Sequence, residues 1–203
     1  MLLLQSVRAD TLALLQEIRK QPFFDDFILV GGTALALHLG HRLSIDLDFF
    51  TLNNHKFEEI KDALAPFPNK MALHDTKKIK VYNINGVKVD FVNYIYPWLD
   101  PIVDPDGLRI ASLKDIAAMK IAAITNRGTK KDFVDMNELL KHFEPKQLLT
   151  FYAEKYHDSS RLMALKSLMY FQDAEEDAMP EMLQDETWKR VKKNILSAFS
   201  GIA

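Results

Sequence analysis

The sequence predicts an α+β fold in which an N-terminal mixed sheet with flanking helices is followed by a C-terminal helical bundle. Before residue 110, short apolar runs alternate with helical segments and with turns that contain glycine, asparagine or proline. From Ser112 onward the pattern is that of one helix after another. We therefore predict two domains, an α/β core over residues 1–110 and a helical domain over residues 111–203.

The first half of the α/β core is predicted from apolar periodicity and from the residues that end each element. Gly31-Gly32 follows a short apolar run, which is typical of a buried strand that ends in a tight turn. Gly40 is a C-terminal stop for the helix that comes next. The predicted elements are a helix over residues 3–20, a strand over 27–30, a helix over 33–39, a strand over 45–50 and a helix over 54–64.

The rest of the chain contains one hairpin and then a series of helices. Asn85-Gly86 lies between two alternating runs, which is the strongest short-range hairpin signal and predicts strands over 79–84 and 87–94. Three prolines then mark a loop. Helices are predicted over residues 112–125, 130–142, 145–157, 159–170 and 185–198.

Composition limits the classes of function. The chain has 203 residues, a formal net charge of −2 and no cysteine. Disulfides and thiolate metal ligands are therefore excluded, and nucleic acid would have to bind a local basic patch. The opening MLLLQSVRAD lacks the features of a signal peptide, and no stretch approaches the roughly 20 apolar residues of a membrane span. We expect a cytoplasmic protein with no membrane partner.

Three aspartates are the candidate catalytic and metal-binding residues. Asp46 and Asp48 lie two apart on a predicted strand, so both side chains project from one face, while Ile45, Leu47 and Phe49 are expected in the core. On a later strand, Asp90 alternates in the same way with apolar neighbours. Carboxylates that converge on one side of a sheet repel each other, and a divalent cation relieves that repulsion. Oxygen ligands suit Mg²⁺ or Mn²⁺, and two such ions could brace a phosphoryl displacement.

A plainer interpretation is that Asp46 and Asp48 form the solvated face of an amphipathic strand. Taken alone, an Asp-x-Asp pattern on a strand is a weak signal. Aspartate is, however, a poor strand former, so two of them in mid-strand with Asp90 on another strand need a reason.

A phosphate-binding turn is the second candidate feature. Gly31 and Gly32 stand between a strand and a helix, where backbone can approach a ligand closely and the helix start offers free N–H groups. Thr33 adds a hydroxyl donor. An ordinary strand-to-helix turn explains the glycines equally well. Arg42 is either a phosphate contact or a surface cation near acidic residues.

Together these motifs resemble a known superfamily. Val-Gly-Gly at 30–32, thirteen residues, Asp-Leu-Asp at 46–48 and a later strand aspartate resemble the signature of the DNA polymerase β-like nucleotidyltransferases. The longer string GGTALALHLGHRLSIDLDFF is similar to the AbiEii/AbiGii-type toxin nucleotidyltransferases. A second segment, SLKDIAAMKIAAITNRGTKKDFVDMNELL, is similar to that family's downstream helical block. The resemblance covers about residues 27–141.

The resemblance implies a nucleotidyltransferase core and assigns roles to residues. The helical domain would complete the active-site cleft. The implied roles are triphosphate binding for Gly31, Gly32 and Thr33, metal binding for Asp46, Asp48 and Asp90, a phosphate or base contact for Lys120, and the last acidic catalytic position for Asp132 or Asp135, with Asp132 favoured. Many members carry serine where this chain has Gly32, so the register of the hydroxyl is open.

The reaction implied is transfer of a nucleoside monophosphate from an NTP to an acceptor, either tRNA or another RNA, by a toxin that is paired with an antitoxin protein. The basic cluster of Arg127, Lys130 and Lys131 is either an RNA contact or a solvated turn between helices. Two alternatives share the site. One is kinase-like transfer of the γ-phosphoryl group, and the other is a catalytically silent nucleotide-binding or interaction module.

Overall fold

The computed structural model describes residues 2–202, apart from the side chain of Asp106, and has a mixed sheet at its centre. The strand order is β1-β2-β5-β4-β3. Strands β2 and β5 run parallel, whereas the other neighbouring pairs run antiparallel. The strands are β1 (Ile28–Val30), β2 (Leu47–Thr51), β3 (Lys70–Asp75), β4 (Ile79–Ile84) and β5 (Val87–Asn93).

Helices pack around this sheet and fill the C-terminal half of the chain, so the predicted α+β fold is confirmed. The helices are α1 (Ala9–Arg19), α2 (Gly31–Leu39), α3 (Asn54–Glu58), α4 (Ile60–Ala63), α5 (Leu113–Asn126), α6 (Lys130–Leu139), α7 (Pro145–Lys155), α8 (Arg161–Leu168) and α9 (Trp188–Phe199). The predicted helices from residue 112 onward agree with α5 to α9 to within three residues at each end.

The two central strands bury one face and leave the other open. Leu47 and Phe49 of β2 and Val89 and Phe91 of β5 are buried. The ring of Phe91 stacks on Phe49 with centroids 5.7 Å apart. Because side chains alternate along a strand, the residues between these apolar positions face the other side of the sheet. Burial of the apolar face therefore fixes which residues reach the open face.

Strand β2 begins two residues later than the periodicity predicts. Ile45 is 45% exposed and lies outside the core, which corrects the expectation that it packs inward. Thr11 donates its hydroxyl to the carbonyl of Ile45 at 2.9 Å, and Thr33 donates to the carbonyl of Asp46. Since these carbonyls are bonded to side chains, they are not available to a strand ladder, and Asp46 precedes β2.

Strand β3 is absent from the sequence prediction. All six of its residues, Lys70–Asp75, are exposed, so the segment has none of the alternation that marks a half-buried strand. It is nevertheless held at the sheet edge by antiparallel pairing with β4. Long-range pairing therefore creates this strand where the local pattern gives no signal.

Two helix boundaries also differ from the prediction. Helix α1 begins at Ala9 rather than near residue 3, because the backbone N–H of Arg8 donates to the carbonyl of Ser44 at 3.0 Å. The helix predicted over 54–64 is divided into α3 and α4 at Glu59, which has φ −84° and ψ 0°. The turn predictions are confirmed, since Asn85 and Gly86 both adopt positive φ and Gly40 ends α2 with φ 62°.

The two predicted domains share one hydrophobic core among the described residues. Backbone hydrogen bonds also join them, since the carbonyl of Leu29 accepts from Ala111 and Leu43 donates to Glu181. The boundary near residue 110 stays a prediction, and its end residues, Met1 and Ala203, lie outside the described range. No helix in the described part of the chain is long and apolar enough to span a membrane.

A buried ion pair holds the loop after β5 against the helical half. The carboxylate of Asp115 on α5 and the ammonium group of Lys155 on α7 are 2.6 Å apart, and both side chains are 0% exposed. Asp115 also accepts from Ser112 and from the backbone N–H groups of Leu99 and Asp100. Lys155 donates to the carbonyl of Pro97 as well. One carboxylate therefore joins two helices and the loop.

Replacing Asp115 with alanine should destabilise the protein by about 3–5 kcal/mol, because it leaves Lys155 buried without its anion. Lys155→Met should cost less, since Asp115 would keep three other donors. The measurement is the free energy of unfolding in urea at pH 7. Asp158→Asn, a change at an exposed aspartate, is the control. Equal losses for the two core variants would contradict this account.

Candidate active site

A cleft of about 970 Å³ lies over the open face of the sheet. Its walls are the start of α2, the inner side of α5 and the segment 177–181. The volume is within the range of small-molecule sites. The sequence-predicted residues that line it are Gly31, Gly32, Thr33, Arg42, Asp46, Asp48, Asp90 and Lys120.

Asp48 and Asp90 are direct neighbours on the parallel strands β2 and β5. Desolvation in the cleft raises the pKa of Asp48, and the adjacent charge of Asp90 raises it further. Asp48 makes no hydrogen bond or ion pair with any described residue. The structure thus brings the two sequence-predicted aspartates together, in a setting that disfavours the ionised form of Asp48.

The other two aspartates of the predicted set, Asp90 and Asp46, each contact a lysine. Both oxygens of Asp90 accept from Lys88, at 2.6 and 2.7 Å. Asp46 lies beside Asp48 along the chain and is 3.7 Å from the ammonium group of Lys131. Lys88 was not among the predicted site residues, although the two-residue strand period places it on the same face as Asp90.

The Gly31-Gly32 turn is packed so closely that side chains cannot be accommodated. Gly31 has φ 68°, and a Cβ there would collide with the carboxylate of Asp48. A Cβ on Gly32 would collide with the guanidinium of Arg42. Among the described residues no side chain caps the start of α2, and its first three residues, Gly31, Gly32 and Thr33, line the cleft. Thr33 is buried, and its hydroxyl bonds to Ser44 and to the carbonyl of Asp46.

Behind the cleft, buried charges form a network centred on Asp135. The guanidinium of Arg42 donates to both oxygens of Asp135, at 2.6 and 2.9 Å. His41 is 2.7 Å from the same carboxylate, and Lys120 is 2.5 Å from it. Although desolvation opposes ionisation, Arg42 and Lys120 hold the pKa of Asp135 well below its ordinary value. This group ties the loop before β2 to α5 and α6.

Asp132 belongs to the same network rather than to the carboxylates at the sheet. It is 0% exposed and lies 3.1 Å from Lys120 and 3.2 Å from Arg127. Thr129 donates its hydroxyl to Asp132 at 2.6 Å. Desolvation alone would raise the pKa of Asp132, but Lys120 and Arg127 outweigh it and lower the pKa. In this structure Asp132 and Asp135 therefore both hold cations that line the cleft.

The three residues of the predicted basic cluster, Arg127, Lys130 and Lys131, lie in different environments. Arg127 and Lys131 line the cleft with side chains that are 60% and 47% exposed. Lys130 is buried instead and donates to the carbonyls of Glu175 and Asp177. The segment 177–181 carries no motif in the sequence, and it is held at the site because residues 181–183 at its end pair with residues 41–43 through backbone hydrogen bonds.

Comparison with known families identifies the chain as a nucleotidyltransferase. The family model described as "Nucleotidyl transferase AbiEii toxin, Type IV TA system" matches residues 13–200, so the chain belongs to that family. The protein aq_aa25 of Aquifex aeolicus (strain VF5) is 37% identical to this chain over 175 residues, which cover 83% of this chain and 84% of that protein. The suspected family is confirmed.

Solved structures show the same fold at low sequence identity. JHP933 from Helicobacter pylori matches with a TM-score of 0.58 and 20% identity, covering 97% of this chain and 93% of its own. MenT4, the nucleotidyltransferase toxin Rv2826c from Mycobacterium tuberculosis H37Rv, matches with a TM-score of 0.58 and 16% identity, covering 97% and 86%. These similarities extend over both predicted domains.

Replacing Asp135 with asparagine should destabilise the protein by about 3–5 kcal/mol at pH 7, because Arg42 and Lys120 lose a shared buried anion. The measurement is the free energy of unfolding in urea. The pKa of Asp135 is lowered in the folded state, so its contribution is present above the unfolded value of about 3.9 and is lost as the pH falls. The difference in the free energy of unfolding between wild type and variant should therefore become smaller below about pH 4. A difference that does not change with pH would contradict an ionic origin.

Asp48→Asn should stabilise the metal-free protein at pH 7.5, because the amide removes a charge that desolvation and Asp90 both disfavour. For a domain of this size, about 1 kcal/mol corresponds to a rise in Tm of roughly 2–4 °C. Differential scanning fluorimetry in EDTA tests this, with Asp158→Asn as an exposed control. A lower Tm for Asp48→Asn would show that its carboxylate stabilises the fold.

Proposed function

We propose that this enzyme transfers a nucleoside monophosphate from an NTP to an acceptor hydroxyl, using Mg²⁺ or Mn²⁺ held by Asp46, Asp48 and Asp90. The observation that supports this most strongly is the pairing of Asp48 with Asp90 across β2 and β5. Two carboxylates are neighbours in a cleft, and Asp48 makes no hydrogen bond or ion pair with any described residue, while desolvation and Asp90 raise its pKa. Protein folding alone gives no reason for such a cost.

The donor chemistry fits a hard divalent cation. All three side chains offer carboxylate oxygens, and the cleft contains no cysteine. Among the described residues, no three His, Asp or Glu side chains are gathered closely enough to hold an ion without movement. Binding would therefore require Asp90 and Asp46 to leave their lysine partners. When bound, two such ions would neutralise triphosphate charge and orient the attacking and leaving oxygens.

The start of α2 is the proposed triphosphate site. Its uncapped N–H groups would donate to phosphate oxygens, and the lack of side chains on Gly31 and Gly32 lets Asp48 and Arg42 lie directly against this turn. Arg127 and Lys131 add exposed cations to the same cleft. Arg42 and Lys120 stand behind them, oriented by Asp135. Thr33 is proposed to support the turn through its bonds to Ser44 and Asp46, and to offer its N–H to phosphate.

In the proposed reaction, the acceptor oxygen attacks the α-phosphorus while the bond to the bridging oxygen breaks and pyrophosphate leaves. We propose that Asp90, once released from Lys88, accepts the proton of the acceptor hydroxyl. The cations Arg127 and Lys131 meet the charge on the departing pyrophosphate. Asp132 contributes by holding Lys120 and Arg127 in place, which is a positioning role.

For the acceptor we propose RNA, with tRNA as the first molecule to test, and for the biological context a cytoplasmic toxin that is neutralised by an antitoxin protein. Membership of the AbiEii toxin family supports the toxin role. Arg8, Arg127 and Lys131 line the cleft with partly exposed side chains, and we propose that they leave their aspartate partners to contact a polyanionic acceptor.

Incubation with Mg²⁺, total RNA and NTPs should transfer α-phosphate label, but not γ-phosphate label, to RNA. Asp48→Asn should lower this labelling on the order of 100-fold or more, since it removes a carboxylate that the proposed metal ions need as a ligand. The measurement is radiolabel incorporation on denaturing gels.

Asp158→Asn serves as the control and should label RNA like the wild type. Transfer of the γ-label would favour a kinase-like reaction on the same site. Labelling of RNA by Asp48→Asn at the wild-type rate would rule out the proposed site. Labelling of another acceptor by the wild type, with no labelling of RNA, would rule out RNA alone.

A further inference from the structure

Lys88 forms an ion pair with Asp90, a carboxylate that the proposed metal site needs as a ligand. It stands two residues before Asp90 on β5, so both side chains leave the same face of the strand. Its ammonium group contacts both oxygens of Asp90, at 2.6 and 2.7 Å. In the described part of the chain, Lys88 is the one cation that is paired with Asp90. A metal ion that binds Asp90 has to compete with it.

The setting of Lys88 differs from that of the structural lysines. The side chain of Lys155 is 0% exposed and that of Lys120 is 6% exposed, and both are fixed by buried carboxylates. The side chain of Lys88 is 45% exposed, and its partner Asp90 is 22% exposed. An exposed lysine on a flexible stem can swing into water without leaving a buried charge behind. The ion pair between Lys88 and Asp90 can therefore be broken at a lower cost than the buried pairs of Lys120 and Lys155.

In the metal-free protein, the ammonium group of Lys88 also offsets the charge of the neighbouring carboxylates Asp48 and Asp90. Asp48 lies next to Asp90 across the two strands and has no hydrogen bond or ion pair among the described residues. The ammonium group of Lys88 contacts this carboxylate pair through both oxygens of Asp90. One ammonium group thus offsets the repulsion between two adjacent carboxylates. A monovalent ion would bring no more charge than Lys88 already supplies, so a divalent ion gains most from the exchange.

We propose that Lys88 is an electrostatic placeholder that keeps Asp90 occupied until a divalent cation displaces it. This inference rests on the proposed metal site. It gives Lys88 two effects of opposite sign, since the residue stabilises the metal-free protein and weakens the binding of the metal. A purely structural lysine would have the first effect alone.

Binding of Mn²⁺ to the full chain, followed by the EPR signal of free Mn²⁺ at fixed ionic strength, tests the second effect. Lys88→Met should lower the Kd roughly threefold to tenfold, because the ion no longer has to break an ion pair. Lys88→Arg should bind Mn²⁺ no more tightly than the wild type. Lys77→Met, at an exposed lysine of the β3–β4 turn, is the matched control and should leave the Kd unchanged.

An unchanged or higher Kd for Lys88→Met would overturn the placeholder role. If the wild type instead binds no Mn²⁺, or Asp48→Asn binds it equally well, then the proposed metal site itself is wrong. The two failures are therefore distinguishable.

Thermal unfolding in EDTA tests the first effect. Lys88→Met should lower the Tm of the wild type, because the repulsion between Asp48 and Asp90 is no longer offset. In an Asp90→Asn background the same change should have little effect, because the charge that Lys88 pairs with is gone. An equal loss in both backgrounds would show that Lys88 stabilises the fold independently of Asp90, which would also overturn the proposal.

Discussion

The parallel pairing of β2 with β5 is the constraint on which the site depends. Leu47 and Phe49 on one strand and Val89 and Phe91 on the other bury a shared apolar face. Because the strand period is two residues, this burial directs Asp48 and Asp90 to the opposite face and places them side by side. A slip of one residue would carry apolar side chains into the cleft and a carboxylate into the core. The hydrophobic core thus enforces an electrostatically unfavourable arrangement.

The aspartates of the core and of the cleft fall into two groups. Asp115, Asp132 and Asp135 are buried, each is paired with at least one cation, and Asp115 and Asp135 join elements that are distant in the sequence. Asp48 has no such partner among the described residues. The first group holds the framework, in which α5 and α6 are fixed to the loop before β2. Asp48 is left available, which is the condition expected of a functional residue that a ligand will complete.

Local signals in the sequence predict much of this structure. The Asn85-Gly86 turn, the Gly40 helix stop and the alternation around Asp48 and Asp90 each depend on a few neighbouring residues. Other features depend on contacts that the sequence does not display. Strand β3 exists through pairing alone, and β2 begins only at Leu47, because Thr11 and Thr33 bond the carbonyls of the two preceding residues.

The sequence prediction and the structure differ most in how the cations at the cleft are held. The sequence leaves Arg42 as either a phosphate contact or a surface cation, and the resemblance implies a phosphate or base contact for Lys120; the contacts with phosphate or base remain a prediction, while Arg42 is buried rather than a surface cation. The structure shows that both are anchored by Asp135, which lies 93 residues from Arg42 in the chain. No local pattern reports a contact of that kind. Lys88 is a different case, since the strand period could have placed it beside Asp90.

A crystal structure with Mn²⁺ and a non-hydrolysable NTP tests the central claim most directly. We expect anomalous Mn²⁺ signal at Asp46, Asp48 and Asp90, with the triphosphate along the start of α2 and the ion pair between Lys88 and Asp90 broken. Asp132 and Asp135 should keep their cations. Manganese at Asp132 or Asp135, or a triphosphate away from Gly31 and Gly32, would contradict this account.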